Sequence, residues 1–416
     1  MISPPTNNPS FLPRPHLLHN HIQHYAWGET GEEAYIPKLL GIVPGNDRPY
    51  AELWIGAHPK SASELEVNNK RISLFDLVKE YPKEVLGEHC AEKFSQKFPF
   101  LLKVVSVAEA LSIQAHPNQQ QAVSLHRADP EHYPDDIYKP EIVIALESFK
   151  ALIGFKNITQ IKNVFKKYPE ILSIARLNQS ATRGKGNYRN REGIKSLLTS
   201  LLLNSASSPD RVTEEIFNLG KRLRGQPQLD EEEEIFLKLQ RKYPQDMGLF
   251  FIFLLNLVKL EKGQGIYIKP GTPHAYLEGN VMECMASSDN VVRLGLTSKY
   301  KSSKDLLDIV AYEFGPVHFA VEEICDGEMI YKTPAEEFQV SYCIIHPGTV
   351  KKVLKRNSPE VLFLTKGRIS LHWEENGQIQ SAEFRQGQAV LTPAYLAEYS
   401  MSGVESSEVF RVTVPQ

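Results

Sequence analysis

The sequence predicts a mainly β protein interrupted by one α-helical insertion. Three observations carry this. Short apolar runs bounded by Pro, Gly and Asn fill the chain from about Leu17 to Phe155. From Thr159 to Lys262 the apolar residues switch to three- and four-residue spacing, the period of helices. Strand-length runs then return at Gly265-Ile-Tyr-Ile-Lys269 and, past a break near Thr333-Pro334, continue to Val414. A chain of 416 residues exceeds one ordinary core. The expected division is 1–157 and 263–333 as two parts of one β domain, 158–262 as the helical insertion, and 334–416 as a C-terminal β domain.

The elements follow in order. Met1 to Asn20 is rich in Pro, Asn and His and lacks the basic start and apolar core of a signal peptide. His16, His19, His21 and His24 have no nearby carboxylate or Cys partner in sequence and read as a polar surface segment. Ser73 to Ser95 reads as helical. Phe98 to Ser106 is strongly apolar and is expected to pair as a hairpin with Ala110 to His116 across the polar break at Glu109. Glu141 to Leu146 is a further strand. In the insertion, Ile161, Val164 and Phe165, and later Ile235, Phe236 and Leu239, mark buried stripes, and Ser196 to Asn204 is Leu-rich. Asp230-Glu-Glu-Glu-Glu234 predicts a capped helix start, where negative charge suits the dipole, and its carboxylates read as a solvated face. Arg183 to Arg191 reads as an exposed basic loop. Val281 to Met285 and Asn290 to Leu294 are strands, and Ser303 to Tyr312 a helix. Short strands at regular spacing from Phe338 to Val414 suggest a second small β-sandwich. Gly387 to Tyr395 echoes Gly265 to Gly271: a glycine, an apolar strand, then a Pro turn. The later copy has no His at the place of His274, so of two such domains only the first is expected to hold metal.

Composition narrows the function. A formal net charge of -3 gives no electrostatic case for nucleic acid or an anionic membrane. No apolar run approaches the ~20 residues of a membrane helix. Cys90, Cys284, Cys325 and Cys343 are scattered, which fits reduced thiols in a cytoplasm better than a disulfide framework.

The chemistry concentrates in Leu111-Ser-Ile-Gln-Ala-His-Pro117. On a strand Ser112, Gln114 and His116 share one face. Glu141 heads an apolar run in Tyr138-Lys-Pro-Glu-Ile-Val-Ile-Ala145, and His274 sits in the Pro/Gly-rich turn Lys269-Pro-Gly-Thr-Pro-His-Ala-Tyr276. Two imidazoles, an amide oxygen and a carboxylate suit a borderline divalent ion such as zinc. Three ligand segments at strand ends or turns suit convergence at the mouth of a barrel.

Tyr25-Ala-Trp-Gly28, Ala51-Glu-Leu-Trp-Ile-Gly-Ala-His-Pro59, the Leu111–Pro117 run, Lys139-Pro-Glu141, Pro273-His-Ala-Tyr276 and Ser288-Asp-Asn-Val-Val-Arg-Leu-Gly-Leu-Thr297 together resemble type I mannose-6-phosphate isomerases. The motifs fall in that family's order from about Tyr25 to Tyr300. The resemblance implies cupin (jelly-roll) β-barrels, the first catalytic and the C-terminal one without metal, and one zinc ion per chain. It implies zinc ligands Gln114, His116, Glu141 and His274 and an essential Arg293. It places Ser112, Lys139, Glu283, Asp289 and Lys299 along the substrate cleft, and Trp27 and Tyr276 in cleft-associated motifs. The implied activity is interconversion of mannose 6-phosphate and fructose 6-phosphate through an enediol, on the route to GDP-mannose. With the composition above, the expectation is a cytoplasmic monomer without nucleic-acid or membrane partners.

In that reaction negative charge grows on an oxygen beside the carbon that loses its proton. A cation there stabilises it, and guanidinium is a poor base, so Arg293 suits electrostatic stabilisation. Ser112, Lys139 and Arg293 are the candidate phosphate donors. The base stays open among Glu283, Lys139, Asp289 and a metal-bound water. Two departures stand out: Tyr138 where the family often has His, and Asn118-Gln119 where Asp-Lys is frequent. The rival readings are another metal-dependent cupin enzyme, such as an iron dioxygenase, and a non-catalytic sugar-phosphate sensor.

Overall fold

The computed structural model describes residues 11–176, 190–354 and 357–415. Two long antiparallel strands, Glu141–Phe155 and His274–Ala286, run through the middle of a nine-stranded sheet. Beside one half of this pair lie Gly265–Ile268, Phe100–Val107, Glu52–Gly56 and His21–Gln23; beside the other lie Leu255–Leu260, Ile113–Ala115 and Val292–Gly295. Glu141 to Leu146 is buried on both faces, which is why it reads as a continuous apolar run and not as an alternation.

The two halves join at register shifts between Tyr276 and Glu278 and between Gly279 and Val281. Gly279 has a φ of 103°, and a Cβ there would lie 2.3 Å from the Ser148 carbonyl oxygen. The close approach at this bend therefore requires glycine. The bend folds the pair over. In the ladder Glu141 faces Met285, eleven positions from His274, a separation of roughly 36 Å on a flat sheet. In the structure a Glu141 carboxylate oxygen lies 3.5 Å from His274 Nε2.

Helices cover the second layer. Ile161, Phe165, Ile171, Leu198, Leu201, Leu219 and Phe236 share one core with Ile113, Leu152 and Val292 of the sheet. The last helix of the insertion, Gly248–Leu254, is apolar all round and wholly buried, as a helix enclosed by other elements must be. It runs directly into the strand Leu255–Leu260, so the expected helical stretch to Lys262 ends in sheet. The strand directly follows a fully apolar helix, which hides the change of element.

Other expectations are also corrected. Phe100–Val107 does not pair with Ile113–Ala115 as a hairpin. Buried throughout, it is flanked by Glu52–Gly56 and His274–Ala286, while Ile113–Ala115 pairs with His274 and Val292–Gly295. Ser73 to Ser95 is three short helices, Leu74–Glu80, Pro82–Leu86 and Glu88–Lys93, broken at Pro82 and at Gly87, whose φ is 80°. His16 is buried, stacked on Phe11. Asp230 does cap its helix, reciprocally with Glu233, but Glu233 is buried and Glu231 and Glu232 pair with Lys150, Lys259 and Lys156. Only Asp230 and Glu234 of that run are exposed. Arg191 starts the helix Arg191–Ser207; the rest of the expected basic loop, except Asn190, lies outside the described residues.

The C-terminal part is a sandwich. Its seven-stranded sheet runs in the order His16–Leu18, Ala389–Thr392, Glu360–Lys366, Ser407–Thr413, Gln339–Ile345, Glu328–Lys332, Val321–Cys325. The facing sheet holds Val350–Leu354, Glu398–Gly403, Arg368–Glu375 and Gln378–Arg385. Strand pairing thus crosses the expected boundary at 333/334, and the N-terminal strand joins this sheet. Among the described residues these three sheets are open, with unpaired edge strands, so the layers face each other without closing a hydrogen-bonded barrel. The architecture is mainly β, with a helical insertion and a second C-terminal β domain. The two echoing strands are placed differently: Gly265–Ile268 is an edge strand on Glu141–Phe155, whereas Ala389–Thr392 lies between His16–Leu18 and Glu360–Lys366.

Candidate functional site

Three segments deliver the four expected ligands, with Gln114 and His116 coming from one of them. His116 follows the strand Ile113–Ala115, just before the Asn118-capped helix Gln119–Ala128. Glu141 opens one long strand and His274 the other. The backbone N–H of Gly271 donates to the His116 carbonyl at 2.7 Å, tying the two histidine segments together.

One Glu141 carboxylate oxygen lies 3.4 Å from His116 Nε2 and 3.5 Å from His274 Nε2. All three residues are buried, and these three atoms have no hydrogen-bond partner. Buried polar atoms are rarely left unpaired, and three converging ones form a donor set that fits a divalent cation. Separations near 3.4 Å are what donors about 2.0–2.1 Å from one tetrahedral ion leave between them. His116 Nδ1 lies 2.7 Å from the Asn290 carbonyl oxygen and His274 Nδ1 lies 2.9 Å from that of Thr272. Each Nδ1–H donates to its carbonyl, leaving the Nε2 lone pair facing the cluster. Burial pulls the His274 pKa down to about 4, which keeps that lone pair available at neutral pH. Burial pushes Glu141 up, but the Lys139 ammonium and the two imidazoles outweigh it and hold the carboxyl well below its usual range. Lys139 Nζ sits 2.9 Å from the other Glu141 oxygen. Gln114 stands opposite both His274 and Arg293 in the strand ladder, and Ser112 Oγ lies 3.5 Å from its side-chain oxygen.

Above this cluster opens a cleft of about 1100 Å³. Trp27, Ser112, Gln114, Lys139, Glu141, Tyr276, Glu283, Asp289, Arg293 and Lys299 all line it. His116 and His274 lie beneath, about 2% and 1% exposed. Tyr276 donates to one Glu283 oxygen at 2.7 Å, and Lys103 Nζ lies 3.1 Å from the other. Asp289 is held by Lys60 at 2.6 Å and His58 at 3.4 Å. Burial pushes its carboxyl up, but hydrogen bonds from those two groups depress it far below the usual carboxylate range. Arg293 is half-buried, and among the described residues no carboxylate pairs with it. Burial lowers its pKa, yet guanidinium stays charged.

Sequence reasoning passed over several cleft residues. Lys103 is buried between Glu52 and Glu283, with its Nζ 5.3 Å from the Trp54 ring centre. Burial opposes its charge, but the two carboxylates more than compensate and keep the ammonium above the ordinary lysine range. The signal was present: one Lys alone in the apolar run 98–106, and the unassigned motif Ala51–Pro59. Tyr243 and Asp246 bring the helical insertion to the rim. The departures from the family pattern are structural here. Tyr138 donates to Glu337 at 2.9 Å and is not part of the cleft wall. Asn118 caps the helix after His116, and Gln119 bonds the backbone of Asp136 and Tyr138.

Fold and cluster define a protein built to hold a divalent metal at the base of a polar cleft. The comparisons specify it further. The profile of the type I phosphomannose isomerase catalytic domain matches residues 16–158, and that of the family's helical insertion domain matches 174–255. The mannose-6-phosphate isomerase of Rattus norvegicus is 37% identical, with 84% of this chain and 86% of the rat protein covered. Mannose-6-phosphate isomerase 1 of Arabidopsis thaliana is 35% identical, over 83% of this chain and 82% of that protein. A zinc-bound mannose 6-phosphate isomerase structure superposes with a TM-score of 0.83 at 30% identity, covering 97% of this chain and all of the other. A variant of phosphomannose isomerase from Salmonella typhimurium superposes at 0.85, also at 30% identity and 97% coverage. The chain belongs to the type I phosphomannose isomerase family.

Proposed function

We propose that this protein is a zinc-dependent aldose–ketose isomerase interconverting mannose 6-phosphate and fructose 6-phosphate. The observation that carries the reading is the set of three buried, partnerless donor atoms of His116, Glu141 and His274 at the base of a cleft lined by cations and carboxylates. Gln114 supplies a fourth, neutral oxygen ligand. With Glu141 the one anion among four ligands, the site keeps net positive charge. A bound zinc ion supplies charge stabilisation beside the oxygen that becomes negative as the enediol forms.

The chain's own residues supply the rest. The guanidinium of Arg293, unpaired and desolvated, adds a fixed positive charge to the same wall. Ser112 and Lys299 hold the phosphate, a handle remote from the reacting carbons that orients the open-chain sugar. Lys139 and Glu283 are the groups placed to move a proton between C1 and C2. Asp289 suits that role least, because its ion pairs with Lys60 and His58 hold it as a carboxylate too weakly basic to take a carbon-bound proton. Tyr276 and Lys103 fix the orientation of Glu283, and Trp27 walls the cleft. The partner is thus a small sugar phosphate. We extend the proposal to a cytoplasmic monomer without nucleic-acid or membrane contacts, in keeping with a formal net charge of -3 and the absence, among the described residues, of a helix long and apolar enough to cross a membrane.

The test is a coupled assay with mannose 6-phosphate, with and without chelator, on wild type and His274→Ala. Both treatments are expected to remove zinc and isomerisation together. Full activity in a sample verified to be metal-free would sink the zinc assignment, and tight binding without conversion would favour a sensor.

A further inference from the structure

Asp135 belongs neither to the metal cluster nor to the lining of the cleft, yet it organises a loop that serves both. One of its carboxylate oxygens accepts from Ser288 Oγ at 2.7 Å and from Asn290 Nδ2 at 3.0 Å. The other accepts from the backbone N–H of Asp289 at 2.9 Å. Its carbonyl accepts from Asn290 Nδ2 at 2.7 Å, and the neighbouring Ile137 carbonyl accepts from both Ser288 Oγ and Asn290 Nδ2 at 3.0 Å. Three consecutive residues, Ser288 to Asn290, are thus clamped onto a segment more than 150 positions earlier in the chain. Ser288 and Asn290 are essentially fully buried, so these bonds have little competition from water.

The clamped loop carries two working groups. The carbonyl of Asn290 accepts the Nδ1–H of His116 at 2.7 Å, which sets the ring's tautomer and aims Nε2 at the cluster. The side chain of Asp289 lines the cleft, fixed from the far side by Lys60. Charged acceptors make the stronger hydrogen bonds, and a group that orients a metal-binding histidine through its second nitrogen commonly tunes metal affinity about 10- to 100-fold. Asp135 is also joined covalently, through Tyr138, to Lys139 and Glu141.

We propose that Asp135 is a positioning residue for the metal centre, acting through the Asn290 carbonyl on His116 and through the Asp289 backbone on the cleft. The inference rests on the zinc reading given above. Asp135→Asn keeps the volume but puts an amide donor where one of two acceptor oxygens stood, so either Asp289 N–H or the Ser288–Asn290 pair faces a donor. Ser288→Ala removes one arm of the clamp while leaving the carboxylate in place.

The experiment measures zinc affinity of the full chain by competition with a chromophoric chelator, and thermal unfolding with and without zinc. Turnover at saturating zinc is recorded in parallel. Asp135→Asn is expected to weaken zinc binding about tenfold or more and to shrink the rise in melting temperature that zinc produces. Ser288→Ala is expected to shift both in the same direction by less. Equal destabilisation with and without zinc, at wild-type zinc affinity, would show a merely structural role and overturn the inference while leaving the zinc reading intact. A wild-type protein that takes up no zinc would overturn both.

Discussion

Replacing Arg293 by Ala should separate catalysis from folding. Among the described residues Arg293 has no ion-pair partner, so its removal leaves no carboxylate stranded. It is only half-buried, and its strand Val292–Gly295 keeps its backbone pairing to Ile113–Ala115. The stability cost expected from lost packing alone is about 0.5 kcal/mol, a small shift in melting temperature. The catalytic cost is larger. Deleting one preorganised donor to a developing oxyanion costs about 10²- to 10³-fold in turnover, or roughly 2.7–4 kcal/mol of transition-state stabilisation. In the coupled assay Arg293→Ala should therefore lose kcat by that factor, with zinc content and melting temperature near those of wild type. Arg293→Lys should recover only part of the loss, because a point charge replaces a planar donor. A kcat within about threefold of wild type would refute the electrostatic role. A raised KM with unchanged kcat would move Arg293 to uniform binding of the phosphate.

Lys103→Met should strand Glu52 and Glu283 in a buried site and cost about 3–5 kcal/mol, read as a shift in the urea midpoint. Lys103→Met combined with Glu283→Gln should regain part of that stability while remaining inactive; no regain would mean that the Lys103–Glu283 pair is not what the single variant breaks. Tyr138→Phe should leave kcat/KM within about twofold and cost about 1 kcal/mol through loss of one hydrogen bond to Glu337; a large fall in kcat would instead place Tyr138 in the reaction. His16 gives a pH dependence. Burial depresses its pKa to about 4 from 6.5, so the unfolded chain binds this proton more readily than the folded one. Its share of stability is intact above pH 6.5 and falls as pH drops towards 4, by on the order of 3 kcal/mol. His16→Leu should flatten urea-midpoint stability over that window, and an unchanged slope would exclude this origin.

Much of this was legible in the one-dimensional pattern. The helical period of Ile161, Val164 and Phe165 located the insertion. Asp230 with Glu233 announced a helix start, and the Pro/Gly turn before His274 announced a strand end. The ligand types were legible too, because amide, imidazole and carboxylate are read directly from Gln114, His116, Glu141 and His274. What failed were statements about partners. The run 98–106 reads as a strand, yet its neighbours are not legible, because a strand buried on both faces carries no alternation to say which ones it takes. The strand Leu255–Leu260 was absorbed into the helical stretch because an apolar helix precedes it without a break. Lys103 went unremarked because its function depends on Glu52 and Glu283, which lie 51 positions before it and 180 after.

Taken alone, the amino-acid order determined which segments are strand or helix and which side chains have metal chemistry, since both follow from local sterics and from the atoms each residue carries. Only the tertiary structure decided that those side chains meet. Along their shared ladder His274 and Glu141 belong to opposite ends of a strand pair, and the bend at Gly279, with its register shifts, together with the pairing of Ile268 to Glu141 brings them to 3.5 Å. Contact across a folded sheet depends on bulges, on glycine's access to positive φ, and on the packing of helices against the second layer. These are non-local energies that no window of neighbouring residues contains.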